Sequence, residues 1–303
     1  MSDEVTELET ALKNKNTSEI TSITLKHKNA ERVKLREKYT SKLGHDLLED
    51  IEKYMSKDYK AALLALYKDP VEYDTDLLYK AMKGIGSDKE VIAEIISFRT
   101  FERIQKIKEK FKEKYKKDLM EELKDETSGV FRKAILYMAE NKRNNNTSPK
   151  LEECQKIAEE LYNAGENKLG TNESVFIKYF TTLSKEELEL VSKEYHKKYK
   201  TNMVKVIESE FGGNEKKLLL DILYALVNPS EYFARAIYDS VHGIGTSDDK
   251  LIRSIVTRCE EDMVYIKRYF KQIYNQDMLE RVNEDTSGDY QKLLEGLMTT
   301  KKK

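Results

Sequence analysis

Apolar residues recur three and four apart along almost the whole chain, and no stretch alternates apolar and polar in the manner of a half-buried strand, so the pattern predicts an all-α protein. Leu77, Leu78, Ala81 and Met82 form one such stripe. Ile92 and Ile96 form the next, and Phe176 with Phe180 and Leu251 with Ile255 hold the matching places further on. Pairs spaced i, i+4 lie on one helix face and are expected in a core. The charged amphipathic run from Phe101 to Tyr115 predicts another helix, and Asp118 is placed to cap the one after it. Only three prolines occur, Pro70, Pro149 and Pro229, spaced 79 and 80 residues apart. Proline is disfavoured inside helices, so these positions divide the chain into four near-equal helical parts.

A second periodicity concerns glycine and acid. The string Met82-Lys83-Gly84-Ile85-Gly86-Ser87-Asp88 interrupts the helical pattern, and Glu126 follows Gly86 by 40 residues. Lys168-Leu169-Gly170-Thr171 is followed by Glu210 at the same interval, and His242-Gly243-Ile244-Gly245-Thr246 by Asp285. With 55 acidic residues among 303, three such coincidences arise by chance roughly once in 200 trials. Other intervals agree. Asp118, Asn202 and Asp277 stand eight residues before the acid, Tyr115, Tyr199 and Tyr274 eleven before it, and Gly129, Gly213 and Gly288 three after it. Ser87 and Glu90 fit a capping box opening the next helix. The first quarter keeps the helices and lacks the chemistry: its loop, Lys13-Asn14-Lys15-Asn16-Thr17, has no glycine, and Tyr54 stands where the acid belongs. Asparagine tolerates a left-handed backbone, so a turn is expected there without an oxygen-rich site.

Helix capping does not call for an acid 40 residues away, whereas a cation held between two loops does. A Gly-x-Gly turn lets several carbonyl oxygens face one concavity, and calcium takes about six to eight oxygen ligands from carbonyls, carboxylates and water. The carbonyls of Met82, Gly84 and Gly86 with the carboxylate of Glu126 supply part of such a shell. The remaining positions suit water or an anionic ligand such as a lipid phosphate.

Composition narrows the function classes. Net charge is −1 with 36% charged residues, so neither a nucleic-acid footprint nor a polybasic membrane anchor is written into the overall balance. No apolar run is long enough to span a bilayer, and the sequence after Met1 has no secretory signal pattern. Cys154 and Cys259 fit free thiols in a reducing, cytoplasmic compartment. His27, His45, His196 and His242 show no metal-ligand spacing, and neither a phosphate-cradling loop nor a nucleophile motif is recognisable, so an enzyme is not expected.

The Gly-Ile-Gly-Ser/Thr loops, the acid at 40 residues, the Asp/Glu-Thr-Ser-Gly strings at Glu126 and Asp285, and the fourfold helical array resemble the annexin family over nearly the whole chain. The resemblance implies four repeats of about five helices in a slightly curved disc, with calcium sites on the convex face that dock on acidic phospholipid. The repeats would span 1–70, 71–141, 151–228 and 229–303, the last ending in a short basic tail, with a polar linker at 142–150 that separates two pairs of repeats. Carried over by position, the metal ligands are Met82, Gly84, Gly86 and Glu126 in the second repeat and Val241, Gly243, Gly245 and Asp285 in the fourth. The third repeat offers the family's longer loop, with Gly165, Lys168 and Gly170 as carbonyl donors and Glu210 as the acid. Lys83, Ile85, Leu169, His242 and Ile244 would touch the membrane interface. The first repeat lacks a working loop, Glu210 is followed by Phe211-Gly212-Gly213, and His242 replaces the family's usual lysine.

The expected function is therefore calcium-dependent binding to acidic phospholipid through repeats two to four. The protein would be a monomer in solution that moves to the inner face of membranes when calcium rises, with lateral assembly there left open. The alternative is a calcium-independent helical-repeat scaffold for protein or cytoskeletal partners. The helical pattern starts within a few residues of Met1, so partner recognition through an N-terminal tail is not expected.

Overall fold

The computed structural model describes residues 3–84, 86–243 and 245–299, and among these residues it contains twenty α-helices and no strand. Each quarter contributes five helices. The first holds α1 (Glu4–Lys13), α2 (Thr17–Lys26), α3 (Asn29–Leu43), α4 (Leu47–Tyr54) and α5 (Lys57–Leu66). The second holds α6 (Pro70–Met82), α7 (Lys89–Phe98), α8 (Phe101–Tyr115), α9 (Leu119–Glu126) and α10 (Gly129–Glu140). In the third are α11 (Leu151–Ala164), α12 (Glu173–Thr182), α13 (Lys185–Tyr199), α14 (Met203–Glu210) and α15 (Gly213–Val227). The fourth comprises α16 (Pro229–Val241), α17 (Asp248–Arg258), α18 (Met263–Tyr274), α19 (Met278–Asp285) and α20 (Gly288–Thr299).

The prolines mark helix boundaries, but two of them open helices instead of following their ends. Pro70 and Pro229 are the first residues of α6 and α16, where a missing N–H costs nothing because that donor would have no partner within the helix. Each short helix that ends at the acid position starts from a side-chain cap. Asp118 accepts from the Met120 amide at 2.8 Å, Asn202 from Lys205 at 2.9 Å and Asp277 from Leu279 at 2.9 Å, a cap that contributes about 1 kcal/mol. The predicted core pairs are inside: Ile92, Phe176, Phe180, Leu251 and Ile255 are fully buried, and Ile96 nearly so.

The chain forms two compact units, one of residues 1–73 with 230–303 and one of residues 74–229. The expected grouping of the first repeat with the second, and the third with the fourth, therefore does not hold. In the unit built from the chain ends, α2 packs on α20 and α5 on α17. There Arg32, 1% exposed, pairs with Glu260 at 2.8 Å. In the central unit α7 lies along α15 and α10 packs on α12. Asp74, without exposed surface, binds Arg99 at 2.8 Å and Arg103 at 2.6 Å. The polar stretch 142–150 is strapped onto the third quarter: Arg143 donates to the Leu183 carbonyl at 2.6 Å, and the Ser184 hydroxyl to the Asn146 carbonyl at 2.7 Å. Its polar composition serves these bonds. Both cysteines are free and buried.

Candidate metal-binding loops

The second loop begins where α6 ends at the buried Met82. Gly84 and Gly86 adopt φ of +117° and +82°, a region costly for residues with a Cβ, and the amide of Asp88 closes the loop on the Ala81 carbonyl at 2.7 Å. Ser87 is not the helix cap. Asp88 takes that role, accepting from the amides of Glu90 and Val91 at 3.1 Å each. The freed Ser87 hydroxyl donates to the backbone carbonyl of Glu126 at 2.8 Å. Loop and distant acid are thus fastened to each other directly.

The fourth loop repeats this construction. Gly243 and Gly245 have φ of +113° and +83°, the Ser247 amide binds the Ser240 carbonyl at 2.8 Å, and the Thr246 hydroxyl donates to the Asp285 carbonyl at 3.1 Å. In the longer third loop, Asn172 closes on the Ala164 carbonyl at 2.7 Å and Gly170 has a φ of +76°. Its hydroxyl, from Thr171, reaches both the Glu210 carbonyl at 3.2 Å and the Glu210 carboxylate at 2.6 Å. That carboxylate lies directly against Gly165: a Cβ there would meet Glu210 Cδ at 3.2 Å and Oε2 at 3.3 Å. The Gly165 carbonyl accepts from the Lys168 amide at 3.0 Å, which leaves it a second lone pair.

The departures after Glu210 leave the local geometry in place. Gly213 has a φ of +53°, beside +59° for Gly129 and +64° for Gly288. Phe211, where the other two repeats have Thr127 and Thr286, is buried edge-on against Phe176 at 5.0 Å. The three tyrosines eleven residues before the acids also share one role. Tyr115 stacks on Tyr79, Tyr199 on Tyr162 and Tyr274 on Tyr238, with ring centroids 3.7, 3.8 and 3.6 Å apart. Each stack ties the helix before the loop to the helix that precedes the short acid-bearing one.

The expected membrane-facing side chains are placed differently from one another. Leu169 is completely exposed. The Lys83 ammonium lies over the Tyr79 ring at 5.7 Å, and the His242 ring stacks on Tyr238 at 4.7 Å. Ile85 and Ile244 fall outside the described residues. In the first quarter the turn is shorter: Lys15, not an asparagine, takes the left-handed conformation at φ +54°, and Asn16 caps α2 through the Glu19 amide at 3.2 Å.

The donor set suits a hard cation. Glu126, Glu210 and Asp285 are half-buried beside their loops, and among the described residues no cluster of three His, Cys, Asp or Glu side chains offers an alternative metal cage. Loop carbonyls with a single carboxylate leave room in the shell, as calcium accepts. The fourth loop differs in one respect. Arg281 donates from Nη2 to the Val241 carbonyl and to Asp285 Oδ2, the latter at 3.0 Å.

Two groups of residues escape a reading based on glycine and acid alone. The hydroxyls of Ser87, Thr171 and Thr246 were detectable as a repeated hydroxyl directly after the second glycine. Arg281 carried no repeated signal, because the residue four before the acid is Glu122 in the second quarter and Val206 in the third.

The annexin family profile matches the chain over residues 3–66, 73–138, 156–222 and 232–297. Human annexin A7 is 33% identical over 275 residues, which are 91% of this chain and 56% of annexin A7, so the chain spans about half the length of that relative. Human annexin A4 is 32% identical over 289 residues, 95% of this chain and 91% of annexin A4. A solved structure of calcium-bound annexin (Sm)1 superposes with a TM-score of 0.85 at 27% identity, covering 98% of this chain and 89% of that one. With its four matched repeats, the twenty helices among its described residues and its glycine loops fastened to distant acids, the chain belongs to the annexin family, whose members are generally non-enzymatic proteins known for calcium-dependent binding to phospholipid.

Proposed function

We propose that the protein binds acidic phospholipid surfaces in a calcium-dependent manner through the loops at 82–88, 165–172 and 241–247. The single observation that carries this reading is the hydroxyl clasp present in all three: Ser87, Thr171 and Thr246 each hold the loop against the backbone of the acid 39 residues on. Met82, Gly84 and Gly86 offer carbonyls on one side, and Glu126 a carboxylate on the other. Gly165, Lys168 and Gly170 do so with Glu210, and Val241, Gly243 and Gly245 with Asp285. When bound, calcium supplies a divalent charge that joins these oxygens to a lipid phosphate.

The clasps hold the backbone of each acid against its loop, so chiefly side-chain ordering is left to pay for on binding. One carboxylate per site gives weak affinity alone. A lipid phosphate completing the shell makes metal binding and lipid binding strengthen each other equally. Three loops acting together raise the affinity further. The exposed Leu169 side chain adds an apolar contact at the interface. Free, buried thiols are consistent with a cytoplasmic protein that reaches the inner leaflet when calcium rises.

Glu126→Gln keeps the side-chain size and removes its charge. The calcium midpoint for sedimentation with phosphatidylserine vesicles should rise, while thermal unfolding of the calcium-free protein stays in place. An unchanged midpoint would exclude the second loop as a working site. Equal sedimentation in calcium and in chelator would favour the calcium-independent scaffold.

A further inference from the structure

The fourth loop already contains a cation. Arg281 lies on α19, one turn before Asp285, with its side chain only 17% exposed. Its Nη2 donates both to the carbonyl of Val241, on the far side of the loop, and to Asp285 Oδ2 at 3.0 Å, while Nη1 reaches Glu284 Oε2 at 3.2 Å. Arg281 and Asp285 alone would form an ordinary i, i+4 surface pair of small value. The bond to Val241, 40 residues away in sequence, is what sets this arginine apart. It bridges the two halves of the site, taking the first carbonyl and the acid that the fourth repeat offers to a metal. The second quarter has the acidic Glu122 at the equivalent position, paired with Lys117 at 2.9 Å, and the third has the apolar Val206.

We propose that Arg281 is an intramolecular competitor that latches the fourth loop and must be displaced before a divalent cation binds there. This inference rests on the reading of the loops as calcium sites. A guanidinium and a divalent ion cannot share one carboxylate and one carbonyl at contact distance without strong repulsion. Displacement leaves the guanidinium a partner, because Glu284 is already within reach of its other nitrogen. The latch makes the three loops unequal. The second and third fill first, and the fourth responds only at higher calcium.

The test is calorimetric titration of calcium into the full chain carrying Glu126→Gln and Glu210→Gln, so that only the fourth loop keeps its acid, with Arg281 present or replaced by methionine. Arg281→Met is expected to tighten calcium binding about tenfold or more, the equivalent of one charge-assisted hydrogen bond removed from the competition. It should also lower the unfolding midpoint of the calcium-free protein, since the latch is lost. Arg281→Lys keeps the charge without the fork and serves as a second variant should the methionine protein fold poorly; it is expected to fall between the two. Equal affinities with arginine and methionine, weaker binding with methionine, or no binding by the fourth loop in either form would each overturn the latch. Failure of the underlying reading is separate: the chain with all three acids intact would then bind no calcium at all.

Discussion

Gly165 sits beneath the carboxylate that the third loop would present to a metal, and adding one methyl group there tests the site without replacing a ligand side chain. An alanine Cβ would lie 3.2 Å from Glu210 Cδ and 3.3 Å from both Cγ and Oε2. Comfortable carbon contacts need about 3.5–4.0 Å, so the carboxylate must retreat by a few tenths of an ångström. That retreat also stretches its 2.6 Å bond from Thr171. The end of a glutamate side chain moves readily, so the fold should barely notice. Calcium–oxygen distances are confined to about 2.3–2.6 Å, however, and a displaced acid is a poorer ligand. We expect a loss of about 1–2 kcal/mol, or roughly 5–30-fold in calcium affinity at this loop. Calorimetry in a background of Glu126→Gln and Asp285→Asn isolates the third loop. Gly165→Ala should weaken binding there while shifting the unfolding midpoint of the calcium-free protein by less than about 2 °C. In a double-mutant cycle with Glu210→Gln its effect should largely vanish, because both changes act on one carboxylate. An affinity within twofold of the parent would refute the placement of Glu210 over Gly165 as part of a metal site.

Three further outcomes follow from particular side chains. Asp74→Asn leaves the buried guanidinium of Arg99 without its carboxylate and should cost about 3–5 kcal/mol, seen as a fall in the thermal midpoint on the order of 10 °C. Burial, opposed by Lys217 and reinforced by Glu94 and Glu90, pushes the Asp221 carboxyl from 3.8 up to about 7. Its unfolded form then releases the proton first, so wild-type stability falls between about pH 4 and pH 7. Asp221→Asn does not titrate, and its stability relative to wild type should grow from pH 5 to pH 8 in denaturant titrations. A relative gain toward acid pH would contradict that sign. Leu169→Ser should weaken vesicle binding about tenfold through the loss of an apolar anchor and leave calcium binding without lipid unchanged, which parallel titrations with and without vesicles would show.

The sequence carried the elements well and their assembly poorly. Apolar spacing was enough to place Ile92 with Ile96 and Phe176 with Phe180 inside, because a 3.6-residue period depends only on neighbours. The pairing of α7 with α15 depends on contacts more than 100 residues apart, and a polar stretch such as 142–150 reads the same whether it hangs free or is strapped to α13. At the loops, the glycines and acids announced themselves by repetition. The string Ser-Asp-x-Glu fits two hydrogen-bonding schemes, a capping box from Ser87 or a cap from Asp88 with the Ser87 hydroxyl free to bond elsewhere. Only the three-dimensional arrangement shows Asp88 capping α7 and Ser87 reaching Glu126. Arg281 was illegible for a different reason: it occurs once, so no repeat marked it.

The central claim, that a clasped glycine loop and its distant acid together bind calcium and through it acidic lipid, is tested most directly by one comparison. Wild type and the variant Glu126→Gln, Glu210→Gln, Asp285→Asn are sedimented with phosphatidylserine vesicles, in calcium and in chelator. Wild type should sediment in calcium and stay in solution with chelator, and the triple variant should stay in solution in both. Sedimentation of the triple variant in calcium at the wild-type midpoint would contradict the account.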